Sequence, residues 1–178
     1  VADFDGIRVY AAGKITKNGW RHHLFPVVDD FEHEHHNAAP WPDEVPIRSG
    51  LPGATYVGPH FMSDDHGCYH GENRHGVAAG DTACGGAYPG LSRPEVTARC
   101  LGAIRTATHV FAWIDDPTCH GTLMEIGYAR ALGKHVHVYT QSGRKELDDL
   151  WFAGQIATAH GSAASSGQAW ADFCLRLR

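Results

Sequence analysis

Positive charge is in short supply in this sequence. Fifteen lysines and arginines stand against 20 aspartates and glutamates, a formal net charge of −5, whereas proteins that hold nucleic acid show a basic stripe. Neither a nucleic-acid polymer nor a membrane surface is expected as a partner. No apolar run approaches the ~20 residues of a membrane span, and nothing ahead of the first predicted strand reads as a secretory signal. Cys68, Cys84, Cys100, Cys119 and Cys174 are an odd number, widely spaced, with no CxxC pair. That usage fits a reducing compartment, so a cytoplasmic location is expected. Internal repeats and coiled-coil heptads are missing too. Gly6, Gly13 and Gly19 do not make a GxGxxG, and there is no GxxxxGK[ST] and no HExxH. Nothing therefore supports a dinucleotide fingerprint or a P-loop, and no cofactor is expected. What is there is a chain of 178 residues, one domain over 1–178 by length and large enough to bury a real core.

Taken in order, residues 7–12 form a β-rich run ending at Gly13-Lys14, where small residues let backbone approach a ligand or a helix closely. Asn18-Gly19-Trp20-Arg21 reads as a turn carrying an aromatic and a cation. Residues 26–53 hold five of the nine prolines and read as an irregular excursion with at best a short helix. Residues 54–57 are the second predicted strand, stopped by Gly58-Pro59. Residues 60–91 are a Gly-, His- and Asp-rich loop, and loops of this length are usually functional or disordered. Ser92-Arg-Pro-Glu95 is a capping box opening a helix through residue 105, with Leu101 and Ile104 on its buried side. A third strand is predicted over 110–114, a helix over 121–132 ended by Gly133, and a fourth strand over 135–139. A short helix over 146–153, a fifth strand over 155–159 and a closing helix over 166–175 follow, the last with Trp170, Phe173 and Cys174 inward. Alternating strands and helices imply an α/β fold: a doubly wound, parallel sheet of about five strands with helices on both faces.

The chemistry gathers around residues 111–134. Strand, polar loop and helix place a ligand at the carboxyl edge of a parallel sheet, and Glu125 falls in the predicted first turn of that helix. A helix N-terminus favours an ionised carboxylate, which makes Glu125 a candidate nucleophile. The alternative is local: Thr122-Leu-Met-Glu125 has capping-box spacing, with Glu125 returning to the Thr122 amide. Gly121 and Gly127 favour the functional reading, because a mid-helix glycine costs ~1 kcal/mol against alanine and close approach of a ligand or strand would explain it. Asp115 and Asp116 end the third strand; adjacent residues there point opposite ways, so only one is expected to face the cleft, and the alternative is that they merely open a turn with Pro117. Tyr10 on the first strand either orients a carboxylate or is a core tyrosine satisfied locally. The loop His60-Phe-Met-Ser-Asp-Asp-His-Gly-Cys-Tyr-His70 is dense in ligand types, with 14 histidines in the whole chain. His66, Cys68 and His70 share only an alternating spacing, so a substrate lid bearing His66 and Tyr69, or a solvated loop, is favoured over a metal site. No metal is expected. His33-Glu-His-His36 and His22-His23 read as surface.

Together these pieces resemble the nucleoside 2-deoxyribosyltransferase family and its relatives that hydrolyse nucleoside or nucleotide N-glycosidic bonds. The resemblance rests on Val9-Tyr-Ala-Ala-Gly13, on Ile114-Asp-Asp116 and on Gly121-Thr-Leu-Met-Glu-Ile-Gly-Tyr-Ala-Arg-Ala-Leu-Gly-Lys134. It runs from the first strand to about residue 140, with 60–91 looking like an insertion. It implies a flavodoxin-like sheet, a homo-oligomer, and a double displacement in which the glutamate matching Glu125 attacks the anomeric carbon while the tyrosine matching Tyr10 positions it. Asp115 or Asp116, or second a loop histidine, would protonate the departing base. Gly13, Asp115, Gly121, Thr122, His66 and Tyr69 would contact the nucleoside or nucleotide. One departure stands out: members often carry an aspartate six residues before the nucleophile, and here that position is Cys119. Two other classes stay open on the residues alone, a non-catalytic nucleotide-binding module and a metal-dependent hydrolase built on the His-rich loop.

Overall fold

A computed structural model describes residues 4–14, 19–25, 44–59 and 93–178. Among the described residues six strands form one open sheet: β1 (Arg8–Gly13), β2 (Val45–Pro46), β3 (Thr55–Gly58), β4 (His109–Ile114), β5 (His135–Gln141) and β6 (Ala159–Ala163). Their order across the sheet is β2-β3-β1-β4-β5-β6. All neighbours pair in parallel except β2, which runs antiparallel to β3. The helices are α1 (Trp20–Leu24), α2 (Arg93–Thr106), α3 (His120–Ala131), α4 (Trp151–Ile156) and α5 (Ser166–Arg176), with a 3-10 helix at Lys145–Leu150 ahead of α4. Among the described residues no helix is long and apolar enough to cross a membrane.

The alternation of the strands splits the core in two. Val9 and Ala11 of β1, with Phe111 and Trp113 of β4, face Trp20, Phe25, Trp170 and Phe173 from the α1 and α5 side. Tyr10 and Ala12, with Val110, Ala112 and Ile114, face Ile104, Ile126, Ala129 and Ala153 from α2, α3 and α4. A period of two along strands buried on both faces produces this division. Helices on both faces are thus as expected.

Several boundaries differ from expectation, each for a local reason. The sheet has six strands rather than about five, because Val45–Pro46 adds a two-residue antiparallel edge within the proline-rich stretch; an edge is where a sheet tolerates proline. The predicted strand over 155–159 is wrong: α4 continues through Ile156, and the strand is Ala159–Ala163. Its Ala-His-Gly-Ser-Ala composition has no β-branched residue to advertise it. The helix predicted over 146–153 is a 3-10 turn that passes into α4. Trp20-Arg21 opens a short helix instead of a turn. Ser92 of the proposed capping box lies outside the described residues. The closing helix does bury Trp170, Phe173 and Cys174.

Candidate active site

The sheet order reverses direction between β1 and β4, since β3 lies to one side of β1 and the later strands to the other. Loops leaving the carboxyl ends of two such strands part company and open a crevice. Here it is a cavity of about 360 Å3 whose wall includes Gly13 and Lys14 after β1, Thr118 and Cys119 after β4, His120 to Thr122 and Glu125 of α3, and Val96, Cys100 and Leu101 of α2. That size falls within the 300–1,000 Å3 of small-molecule sites.

Tyr10 and Glu125 meet at this cavity. The phenol donates to Glu125 Oε1 at 2.5 Å, a pairing between residues 115 apart in sequence. Tyr10 is fully buried, so its hydroxyl is not satisfied locally but by the carboxylate. Glu125 stands in the second turn of α3, not the first, because the helix begins at His120 and its first turn carries no acid. Thr122 is inside the helix, and the N-cap position belongs to Cys119, which makes no side-chain cap. The local capping-box alternative therefore does not describe Glu125.

The electrostatics correct a second expectation. A helix N-terminus was to favour the ionised carboxylate, but that effect fades beyond the first turn. Burial instead pushes the Glu125 carboxyl up to about 7, against the opposing pull of the Tyr10 hydroxyl and the Arg21 charge. Burial pushes the Cys100 thiol up to about 12, helped by the nearby Glu125 carboxylate, and raises Tyr10 well above the ordinary phenol value. Both stay protonated near neutral pH. Cys119 is likewise held up to about 11 by burial, so six residues before Glu125 this chain carries a neutral, buried group.

Asp115 and Asp116 turn to different partners, as adjacent strand-end residues do. Asp115 Oδ2 accepts from the Trp113 indole at 3.1 Å. Asp116 accepts from Lys14 Nζ at 2.7 Å, and from the amide and hydroxyl of Thr118 at 2.7 and 2.6 Å. These hydrogen bonds, that from Lys14 foremost, lower its carboxyl to about 2. A carboxylate so held is a poor proton donor, which counts against Asp116 as the acid for a leaving base. Its geometry suits it to fix Lys14, whose Nζ also donates to Thr118 Oγ1 at 2.8 Å.

The glycines separate into two kinds. A Cβ on Gly13 would lie 2.8 Å from both the Trp113 carbonyl oxygen and Trp20 Cζ2; the close approach inferred for this residue is made by an indole and by backbone. A Cβ on Gly121 or Gly127 would meet no described atom within 4 Å. A neighbouring strand thus does not explain either glycine, while Gly121 borders the cavity. His66 and Tyr69 lie outside the described residues, as does the rest of the His-rich loop. Among the described residues no group of three or more His, Cys, Asp or Glu side chains is arranged to hold a metal.

Four cavity or near-cavity residues were not singled out from sequence: Lys14, Thr118, His120 and Cys100. Lys14 follows the strand-ending glycine and Thr118 follows Asp-Asp-Pro, so both had a signal in their position. Cys100 had none, because only the packing of α2 brings it beside Tyr10 and Glu125. Neither the protein-family models nor the curated proteins compared with this chain give a match.

Proposed function

We propose that this protein cleaves the N-glycosidic bond of a (deoxy)nucleoside or nucleotide, with Glu125 as the nucleophile and the sugar passed to another base or to water. The single observation behind this reading is the Tyr10–Glu125 hydrogen bond at a ligand-sized cavity on the sheet's switch point. One carboxylate oxygen is engaged by the phenol, which leaves the other to meet an anomeric carbon. As that carbon loses its base it gains oxocarbenium character, which a carboxylate stabilises or captures, as in retaining glycosidases. Glu125 forms an ester bond to C1′ while the C1′–N bond breaks and its electron pair leaves with the base. Water, or a nitrogen of a second base, then attacks C1′ and returns the carboxylate.

The departing base needs a proton, and with Asp116 held ionised a candidate is His120, which lines the cavity at the start of α3. Histidine is the residue type most used for such transfers. The resemblance to the deoxyribosyltransferase family, a flavodoxin-like assignment, a homo-oligomeric state and a cytoplasmic location accompany this reading.

The test is incubation with a panel of nucleosides and 5′-nucleotides, with and without an acceptor base, read by chromatography. Free base without exchange means a hydrolase; a new nucleoside means a transferase; Glu125→Ala abolishes either. Thermal stabilisation by a nucleotide with no turnover of any panel member refutes the reading in favour of a binding module.

A further inference from the structure

Three histidines meet where β4 and β5 begin, on the face of the sheet that α5 covers. His109 and His135 are partners across the β4–β5 ladder, and their rings stack with centroids 4.9 Å apart. His137 follows two residues on, on the same face, its ring 6.2 Å from that of His109. It is only 6% exposed, and its Nδ1 has no hydrogen-bond partner among the described residues. Phe173 of α5 roofs the cluster: its ring stands at 90° to His137 with centroids 4.9 Å apart, and lies 6.4 Å from His109.

An imidazole in such a place is stable as the neutral ring, because a charge taken out of water needs a partner. The elements around His137 offer little to one. From β4 comes His109, whose Nδ1 lies 2.9 Å from Thr108 Oγ1. From β5 come His135 and Tyr139, from β6 only Ala159 beside it in the ladder, and from α5 Asp172 and Arg176. Asp172 is the one carboxylate in this group, and it already accepts from the Tyr139 hydroxyl at 2.8 Å and from Arg176 Nε at 2.6 Å. A proton on either ring therefore adds positive charge beside Arg176 and the other imidazoles. Burial first, and then those neighbouring charges, hold His109 and His137 down at about 4 while α5 is docked. Undocking α5 would return the rings to water, where histidine takes its proton near 6.5, so acid favours the undocked helix.

We propose that His109, His135 and His137 form an acid-sensitive latch for α5: with neutral rings the helix docks on the β4–β5 end of the sheet, and their protonation releases it before the rest of the fold opens. Local release is possible because the opposite face has its own core. Ile104, Ile126 and Ala129 pack there under α2 and α3, apart from the cluster that Trp170 and Phe173 close. The latch lies across the sheet from the cavity and does not depend on the reading of Glu125.

The experiment is amide hydrogen exchange at pH 7, 5.5 and 4.5, corrected at each pH for the intrinsic exchange rate, in the wild type, His137→Phe and His109→Gln. In the wild type the opening constant of α5 rises at least about tenfold from pH 7 to 4.5 relative to that of β4 and β5, within what one histidine lowered from 6.5 to about 4 can exert. His137→Phe keeps an aromatic ring beneath Phe173 and cannot be protonated, so its rise is at least about threefold smaller. A wild-type constant that stays level, or one that climbs only in step with the strands, overturns the proposal. So does a rise in His137→Phe equal to that of the wild type. If His137→Phe does not fold, His109→Gln decides: a smaller rise than the wild type supports the latch, and an equal one overturns it.

Discussion

Replacing Tyr10 with phenylalanine removes one hydroxyl and leaves the ring in the core, so it isolates the 2.5 Å hydrogen bond to Glu125. A hydrogen bond to a charged group contributes ~1.5–3 kcal/mol, and one pKa unit corresponds to about 1.4 kcal/mol. The bond favours the ionised carboxylate, so its loss raises the Glu125 midpoint from about 7 by roughly one to two units. The sign for catalysis follows. On the nucleophile reading the carboxylate works only when ionised, so wild-type base release climbs as pH rises through about 7, until loss of the proton that the departing base needs turns it down at higher pH. In Tyr10→Phe the climb moves to higher pH. At neutral pH the ionised fraction falls from about a half to between a tenth and a hundredth, a loss of roughly 5- to 50-fold. The assay is the initial rate of base release from pH 5 to 10 in both proteins, with folding at each pH checked by circular dichroism. A rate that falls as pH rises through 7 in the wild type would mean that Glu125 donates a proton instead of attacking. An identical profile in both proteins would mean that the phenol does not act through the carboxylate. Either result refutes the reasoning.

Other predictions concern packing and the lower edge of the sheet. Gly13→Ala sets a methyl group 2.8 Å from the Trp113 carbonyl oxygen and the Trp20 ring, and is expected to destabilise by ~1–3 kcal/mol in urea unfolding. Gly127→Ala has open space among the described residues and is expected to stabilise by up to ~1 kcal/mol through helix propensity, with turnover unchanged. Gly121→Ala meets equally open space but borders the cavity; a rise in KM there, set against no change in Gly127→Ala, marks ligand approach to α3. His109 stacks on His135 with ring centroids 4.9 Å apart, and His137 lies 6.2 Å from His109. Burial first, and then neighbouring histidines, depress His109 and His137 to about 4 from 6.5. Below 6.5 the unfolded chain takes up protons that the folded one refuses, so stability is complete above that pH and drains away as pH falls toward 4. Glu125, raised to about 7, works in the opposite sense over the same window, so the test is a difference: from pH 7 to 4.5 the unfolding free energy of the wild type falls more, or rises less, than that of His109→Gln.

Much of the frame was written locally. The apolar runs at β1, β3, β4 and β5 and the glycine after α3 mark strands and a helix end without reference to anything distant, because period and punctuation act within a few residues. The misses were also local in origin. Ala159–Ala163 lacks strand-forming residues and is a strand because β5 offers it a ladder, while the 3-10 start before α4 blurs a helix boundary. Glu125 drew notice through its motif, yet it lies in the second turn of its helix, where burial and not the helix terminus sets its charge.

The sequence by itself determined that strands and helices alternate, that both faces of the sheet are covered, and that a carboxylate follows the strand ending at Asp115-Asp116. Only the tertiary structure decided what that carboxylate experiences. Tyr10 of β1 and Cys100 of α2 come from separate elements to lie beside Glu125, Tyr10 across 115 positions of chain. Desolvation and electrostatic attraction depend on distance in space, and no local pattern of residues encodes that distance.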